Sequence, residues 1–198
     1  MGESFVMWYP NMVPYKSNNL EITVEGTIGT IYLDNQMYMR CDSSKNFVYE
    51  DIVAHDYIAY GHVIATGMGF LIREKMLLDN PRVEKLTVLE ISSDLIDYHR
   101  KYNKDVIDRI DVIQCDANEY KGSCDVLLVD HHDDAHHWEN YAKCVENIDH
   151  KVSWFWPIEA YIQSYSHYKK LMKHWPTLPD LSEEKFTEFK SRYENMWL

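Results

Sequence analysis

The chain has 198 residues, 45% of them hydrophobic, with four cysteines and a formal net charge of −12. That length suits one domain with its own core, and the acidic balance excludes a surface built to hold a polyanion such as nucleic acid. No stretch approaches the roughly 18 apolar residues of a membrane span and no basic-then-apolar leader opens the chain, so a soluble cytoplasmic protein is expected.

Residues 1–19 are rich in Pro, Asn and aromatics without a sustained period, and read as an irregular arm. Leu20–Glu25 alternates apolar and polar, Gly26-Thr27-Ile28-Gly29 punctuates it, and Thr30–Leu33 returns. Asp34-Asn35 is a second turn signal and Gln36–Cys41 a third strand, which makes a small antiparallel meander. Asn46–Tyr57 then has helical spacing, with Ser43 or Ser44 as its cap.

From Gly61 the pattern alternates: strand 62–66, helix 70–79, strand 85–91, helix 93–103, strands 110–115 and 125–130, helix 135–148 and strand 151–156. This predicts an α/β fold: a parallel sheet in the order 3-2-1-4-5 with helices on both faces and the meander beside it. The connection from Asp116 to Cys124 is too short for a crossover helix and is expected to be a loop or single turn. Two helices follow, 158–174 and 182–196, split by Trp175-Pro176-Thr177-Leu178-Pro179, with no further strand pattern. The chain divides into an arm and meander (1–45), a Rossmann-like nucleoside-binding core (46–157) and a helical tail (158–198). Cys41, Cys115, Cys124 and Cys144 contain no Cys-x-x-Cys pair and read as free thiols.

The chemistry sits at strand ends. Gly67-Met68-Gly69 follows the first parallel strand, where glycines let backbone approach a ligand. Glu90 ends the second strand about twenty residues on, the spacing at which such units offer a carboxylate to ribose hydroxyls. Asp116, followed by Ala117, ends the third, where an acid can accept from an adenine amino group; a turn-capping acid is the alternative. Asp130 ends the fourth, placed to act as a base or to orient an acceptor. The third glycine of a dinucleotide fingerprint would fall at Ile72, so a ligand without phosphates is expected.

Asp130 to His137 reads Asp-His-His-Asp-Asp-Ala-His-His. Three readings stay open: a substrate-facing loop, a metal site using His132 and His136, or a surface loop in which Asp133 or Asp134 caps the next helix. Trp154-Phe155-Trp156-Pro157 with Tyr161, Tyr165 and Tyr168 could form a lid, but core packing or a subunit interface is expected, and a homodimer stays open.

The order of these motifs resembles the class I S-adenosylmethionine-dependent transferases, and more narrowly the spermidine synthase (polyamine aminopropyltransferase) branch. Thr30–Gln36 is similar to that family's Leu-Asp-Gly-x-x-Gln strand-turn, and Phe47 to His55 to its Phe-x-Tyr-Gln/His-Glu…His/Asn helix. Arg73-Glu74 stands where the family has Arg-Glu, Pro81–Ile91 resembles the approach to its ribose-binding acid, and Asp125–Asp130 resembles the strand ending in its catalytic aspartate. The resemblance implies a class I methyltransferase fold and S-adenosylmethionine or its decarboxylated form as donor. It further implies Gln36 at the donor's methionine part, Ile91 beside the ribose acid, Tyr49 on the acceptor side and a catalytic role for Asp130 and Asp133. The departures are Met68 in place of the loop aspartate, a lost proline after Asp130, and no counterpart of the family's long C-terminal half. Methyl transfer to a small acceptor is therefore favoured over aminopropyl transfer to an amine. A nucleoside-binding module without catalysis is the third reading.

Overall fold

The computed structural model describes residues 10–43, 57–131, 137–155, 164–174 and 176–187. An antiparallel sheet comes first, formed by β1 (Tyr15–Lys16), β2 (Leu20–Glu25), β3 (Ile28–Leu33) and β4 (Gln36–Asp42) in that order. The arm thus contributes a short strand that the sequence pattern does not reveal. Asp34 and Asn35 both have positive φ, 50° and 64°, so β3 and β4 are joined by the tight two-residue turn that such residues favour. The ladder then slips: Tyr32 faces Met37 and Ile31 faces Met39, which leaves Tyr38 as the extra residue of a β-bulge.

The second sheet is parallel throughout and has five strands: β5 (Gly61–Thr66), β6 (Val83–Glu90), β7 (Asp111–Gln114), β9 (Val126–Val129) and β11 (Val152–Phe155). Their spatial order, β11-β9-β5-β6-β7, is the predicted 3-2-1-4-5 arrangement. Val63 to Thr66 and the whole of β9 are buried, as strands covered on both faces must be. The switch in strand order falls between β5 and β9, so their carboxyl ends open a crevice at Gly67 and Asp130.

Three helices join these strands: α1 (Ile72–Asp79), α2 (Ser93–Tyr102) and α4 (His137–Asn147), with a single turn, α3 (Lys104–Ile107), after α2. The short 116–124 connection is a turn ending in β8 (Gly122–Ser123), which pairs in parallel with β10 (Ile148–Asp149). Helix α5 (Tyr165–His174) lies in the tail, and of the predicted 46–57 helix only its last residue falls within the described residues.

One apolar core runs through both sheets and the tail, from Leu20 and Ile31 through Val63 and Leu128 to Tyr168 and Phe186. Trp154, Phe155 and Tyr168 are fully buried, so these aromatics pack the core as expected. Where β11 would expose an open edge, Ser153 N–H donates to the Thr177 carbonyl at 2.8 Å, and Ser153 Oγ bonds both Thr177 Oγ1 and Tyr141 Oη. The proline-rich segment of the tail thus covers the edge of the sheet. All four cysteines are free, and burial pushes the Cys41, Cys124 and Cys144 thiols up to about 12, which keeps them inert. No helix among the described residues is long and apolar enough to cross a membrane.

Candidate active site

The turn from Gly67 to Leu71 is built from left-handed residues. Gly67, Gly69 and Leu71 have φ of 70°, 48° and 63°. Glycine takes this conformation freely, whereas a leucine held there costs about 1 kcal/mol or more. The backbone is secured by three surrounding elements. Gly67 N–H continues the β6 ladder to the Leu89 carbonyl, the Gly67 carbonyl accepts from Arg73 Nη2, and Met68 N–H donates to Glu90 Oε2 at 2.9 Å. The Gly69 carbonyl accepts from His99 Nε2 on α2 at 2.8 Å.

Glu90 is 3% exposed at the end of β6. Its second oxygen accepts from Ser92 N–H at 2.8 Å. A carboxylate has about four lone-pair sites, so acceptor capacity remains beyond these two N–H groups. Burial raises the Glu90 pKa above the ordinary carboxylate range, although the N–H groups of Ser92, Met68 and Ile91 pull it back. Ile91, the next residue, is 65% exposed, an apolar surface at the rim of the turn.

Across the turn, Asp130 follows β9. Its N–H donates to Thr66 Oγ1 at 2.8 Å, and His131 Nδ1 lies 2.7 Å from the same hydroxyl. The Asp130 side chain is 42% exposed and pairs with Arg73 Nη1 at 3.4 Å. Arg73 and Glu74 sit in the first turn of α1, both buried and bonded to each other, and Arg73 also donates to the Thr66 carbonyl.

Gly67 is also the meeting point with the antiparallel sheet. A methyl group there would strike the Asp130 carbonyl and stand 2.7 Å from Tyr38 Oη, and at Gly69 it would stand 2.5 Å from Met39 Sδ. The bulge in β4 makes this possible, because two successive residues, Tyr38 and Met39, reach the same turn. Burial raises the Tyr38 pKa well above its ordinary value, reinforced by Glu90 and Asp130, so its hydroxyl stays protonated. Gln36 stands exposed beside the hairpin turn. Counted from Leu33, the Leu-Asp-Gly-x-x-Gln spacing ends at position 38, so the sequence also points to Tyr38. That count is the signal that would have found it.

Asp116 caps its own turn through the Asn118 N–H at 2.9 Å, and Ala117 is 4% exposed behind it. Both lie at the carboxyl end of β7, beyond Glu90, since Cys115 N–H donates to the Glu90 carbonyl. The structure therefore brings Gly67, Gly69, Glu90 and Asp130 to one turn with Tyr38 and Arg73. Tyr49, His132, Asp133 and His136 lie outside the described residues.

No protein-family model matches the chain, and no curated protein matches it. Among solved structures it is similar to spermidine synthase from Thermotoga maritima, with a TM-score of 0.51 and 20% identity over 74% of this chain and 56% of that one. A spermidine synthase in complex with the transition state analogue AdoDATO matches with a TM-score of 0.49 and 20% identity, over 71% and 53% of the two chains. The chain has that α/β fold and spans a little over half the length of the structures it matches.

Proposed function

We propose that this chain is an adenosyl-donor transferase that moves an aminopropyl group from decarboxylated S-adenosylmethionine to a small amine. The observation that carries the reading is the charge around the glycine turn. Tyr38 feels three carboxylates, Glu90, Asp130 and Glu74, against one cation, Arg73. Arg73 is itself engaged by Glu74, Asp130 and two backbone carbonyls. Such a balance of charge suits a sulfonium and an ammonium, and it meets a donor carboxylate with repulsion.

In this reading the remaining acceptor capacity of Glu90 meets the ribose hydroxyls, Ile91 covers one face of the adenine, and Asp116-Ala117 meets its amino edge. Tyr38 and Met39, packed against Gly67 and Gly69, close the other side of the turn. As the acceptor nitrogen forms its new bond to carbon, the carbon–sulfur bond breaks and its electron pair leaves on sulfur as a thioether. The ammonium so formed gives a proton to Asp130. Arg73 holds that carboxylate at β9, and alignment supplies most of the rate. The proposed division of labour along the chain follows: the arm and meander (1–45) roof the turn, the core (46–157) binds the nucleoside, and the tail (158–198) closes the sheet.

Asp130→Asn keeps the shape and removes the basicity. Turnover is expected to fall by about 10²–10⁴-fold with donor affinity unchanged, read from single-turnover rates beside calorimetric titration. Loss of affinity in step with turnover would make Asp130 a binding residue only.

Methyl transfer from S-adenosylmethionine is the second reading, favoured by Met68. This residue is 2% exposed and packs into the core, so the loop offers no acid at the position where the resembling family has one. Parallel titration with S-adenosylmethionine, its decarboxylated form and methylthioadenosine separates the two. Preference for the decarboxylated donor supports aminopropyl transfer, and preference for the intact one supports methyl transfer. Binding of none of the three would leave a nucleoside-type fold without catalysis.

A further inference from the structure

The glycine turn has a support that lies outside its own strand-helix unit. His99 is fully buried on α2, a turn and a half beyond the helix start, and its Nε2 faces the Gly69 carbonyl at 2.8 Å. A carbonyl only accepts, so Nε2 carries the proton. The other ring nitrogen, Nδ1, takes a hydrogen bond from the Asn103 amide at 3.1 Å, which fixes that tautomer. The Asn103 side-chain oxygen accepts in turn from the Asn11 N–H at 2.7 Å. Beside it, Val13 N–H donates to Tyr98 Oη at 2.9 Å.

We propose that His99 is a positioning residue: as a neutral donor it fixes the Gly69 peptide in its ligand-receiving orientation and ties that peptide, through Asn103, to the arm at Asn11. The argument is geometric. Three residues between 67 and 71 are left-handed, one of them a leucine, so the turn does not hold its shape unaided. Arg73 and Glu90 secure Gly67 and Met68, and His99 secures Gly69. A planar trans peptide whose carbonyl points into α2 sends the following N–H, that of Phe70, the opposite way. Releasing the carbonyl frees the peptide to rotate and blurs the surface that a ligand would meet. The inference rests on reading the turn as a cradle for an adenosyl ligand.

The test compares the full chain with His99→Phe, which keeps a ring and loses the donor, and His99→Gln, which restores an N–H near the place of Nε2. Methylthioadenosine is the probe. Its affinity should fall about tenfold in the Phe variant and return to within about threefold of the parent in the Gln variant. Amide hydrogen exchange over residues 67–71 should quicken about tenfold in the Phe variant while the β6 and β9 amides keep their rates. Parental exchange and parental affinity in the Phe variant would overturn the proposal. So would quickened exchange that the Gln variant fails to slow, since that marks a packing role alone. If the parent binds no adenosyl ligand, the functional reading fails, and the exchange comparison still decides whether His99 holds the turn. Should the Phe variant not fold, nitrogen NMR of the parent ring decides: a protected Nε2–H agrees, and an Nδ1–H tautomer overturns it.

Discussion

His99 and Glu90 are both buried titratable groups beside the same turn, and acid acts on each, on stability through His99 and on ligand affinity through Glu90. Burial lowers the His99 pKa from 6.5 to about 4. Between those values the unfolded chain binds a proton that the folded chain refuses, so stability is whole above pH 6.5 and is lost as pH falls towards 4. The full difference is about 3 kcal/mol. Urea midpoints measured from pH 7 to 4 should drop steeply in the parent and more gently in His99→Gln; equal slopes would show that His99 is not the linked group. Glu90 is shifted upward by burial, so it takes up a proton above the usual 4.5. Ribose hydroxyls need the carboxylate, and methylthioadenosine affinity should therefore weaken on acidification before an ordinary carboxyl would titrate. Glu90→Gln turns an NH₂ towards either the Met68 or the Ser92 N–H, and affinity should fall at least about tenfold at pH 7. Titration within about threefold of the parent would remove Glu90 from the ligand's path.

Elements differ in how plainly the sequence announces them. Four of the five parallel strands run into a glycine or a single acid (Gly67, Glu90, Asp116 and Asp130), and the position of their carboxyl ends follows from that pattern. Glu90 and Asp130 flank the glycine turn for that reason. The bulge in β4 leaves no such trace, because Gln36 to Cys41 reads as a simple strand whether or not one residue is extra. The slip of the ladder brings Tyr38 and Met39 together against the glycine turn, while Gln36 stays exposed beside the hairpin turn. His99 was also illegible: it lies on the buried face of an amphipathic helix, and nothing in its spacing distinguishes a donor to a distant carbonyl from a core histidine. The bulge itself is open to test by deleting Tyr38. The pairs Tyr32–Met37 and Ile31–Met39 already stand on either side of the extra residue, so deletion leaves a regular ladder. Stability should stay within about 2 kcal/mol of the parent, while methylthioadenosine binding weakens about tenfold. Retained affinity would mean that the turn does not use Tyr38.

At the scale of the molecule, two sheets and a helical tail share one core, and the closing contacts are remote in sequence. Tyr168 Oη donates to the Pro179 carbonyl at 2.5 Å, Tyr165 Oη to the Leu181 carbonyl at 3.1 Å, and Thr177 receives the Ser153 N–H of β11. The pattern of apolar runs forecast the five strands but not the way the last one is finished, because Trp175-Pro176-Thr177-Leu178-Pro179 carries turn residues and no strand period. That cover gives the protein a vulnerable moment as it is made. A ribosome that has released β11 has yet to deliver the residues that shield it, and until then the strand is an adhesive flank open to any other nascent chain. A chain stopped after residue 163 is frozen at that moment. Light scattering on refolding should show it clumping at concentrations where the full chain stays clear; equal clarity would mean that the flank needs no cover.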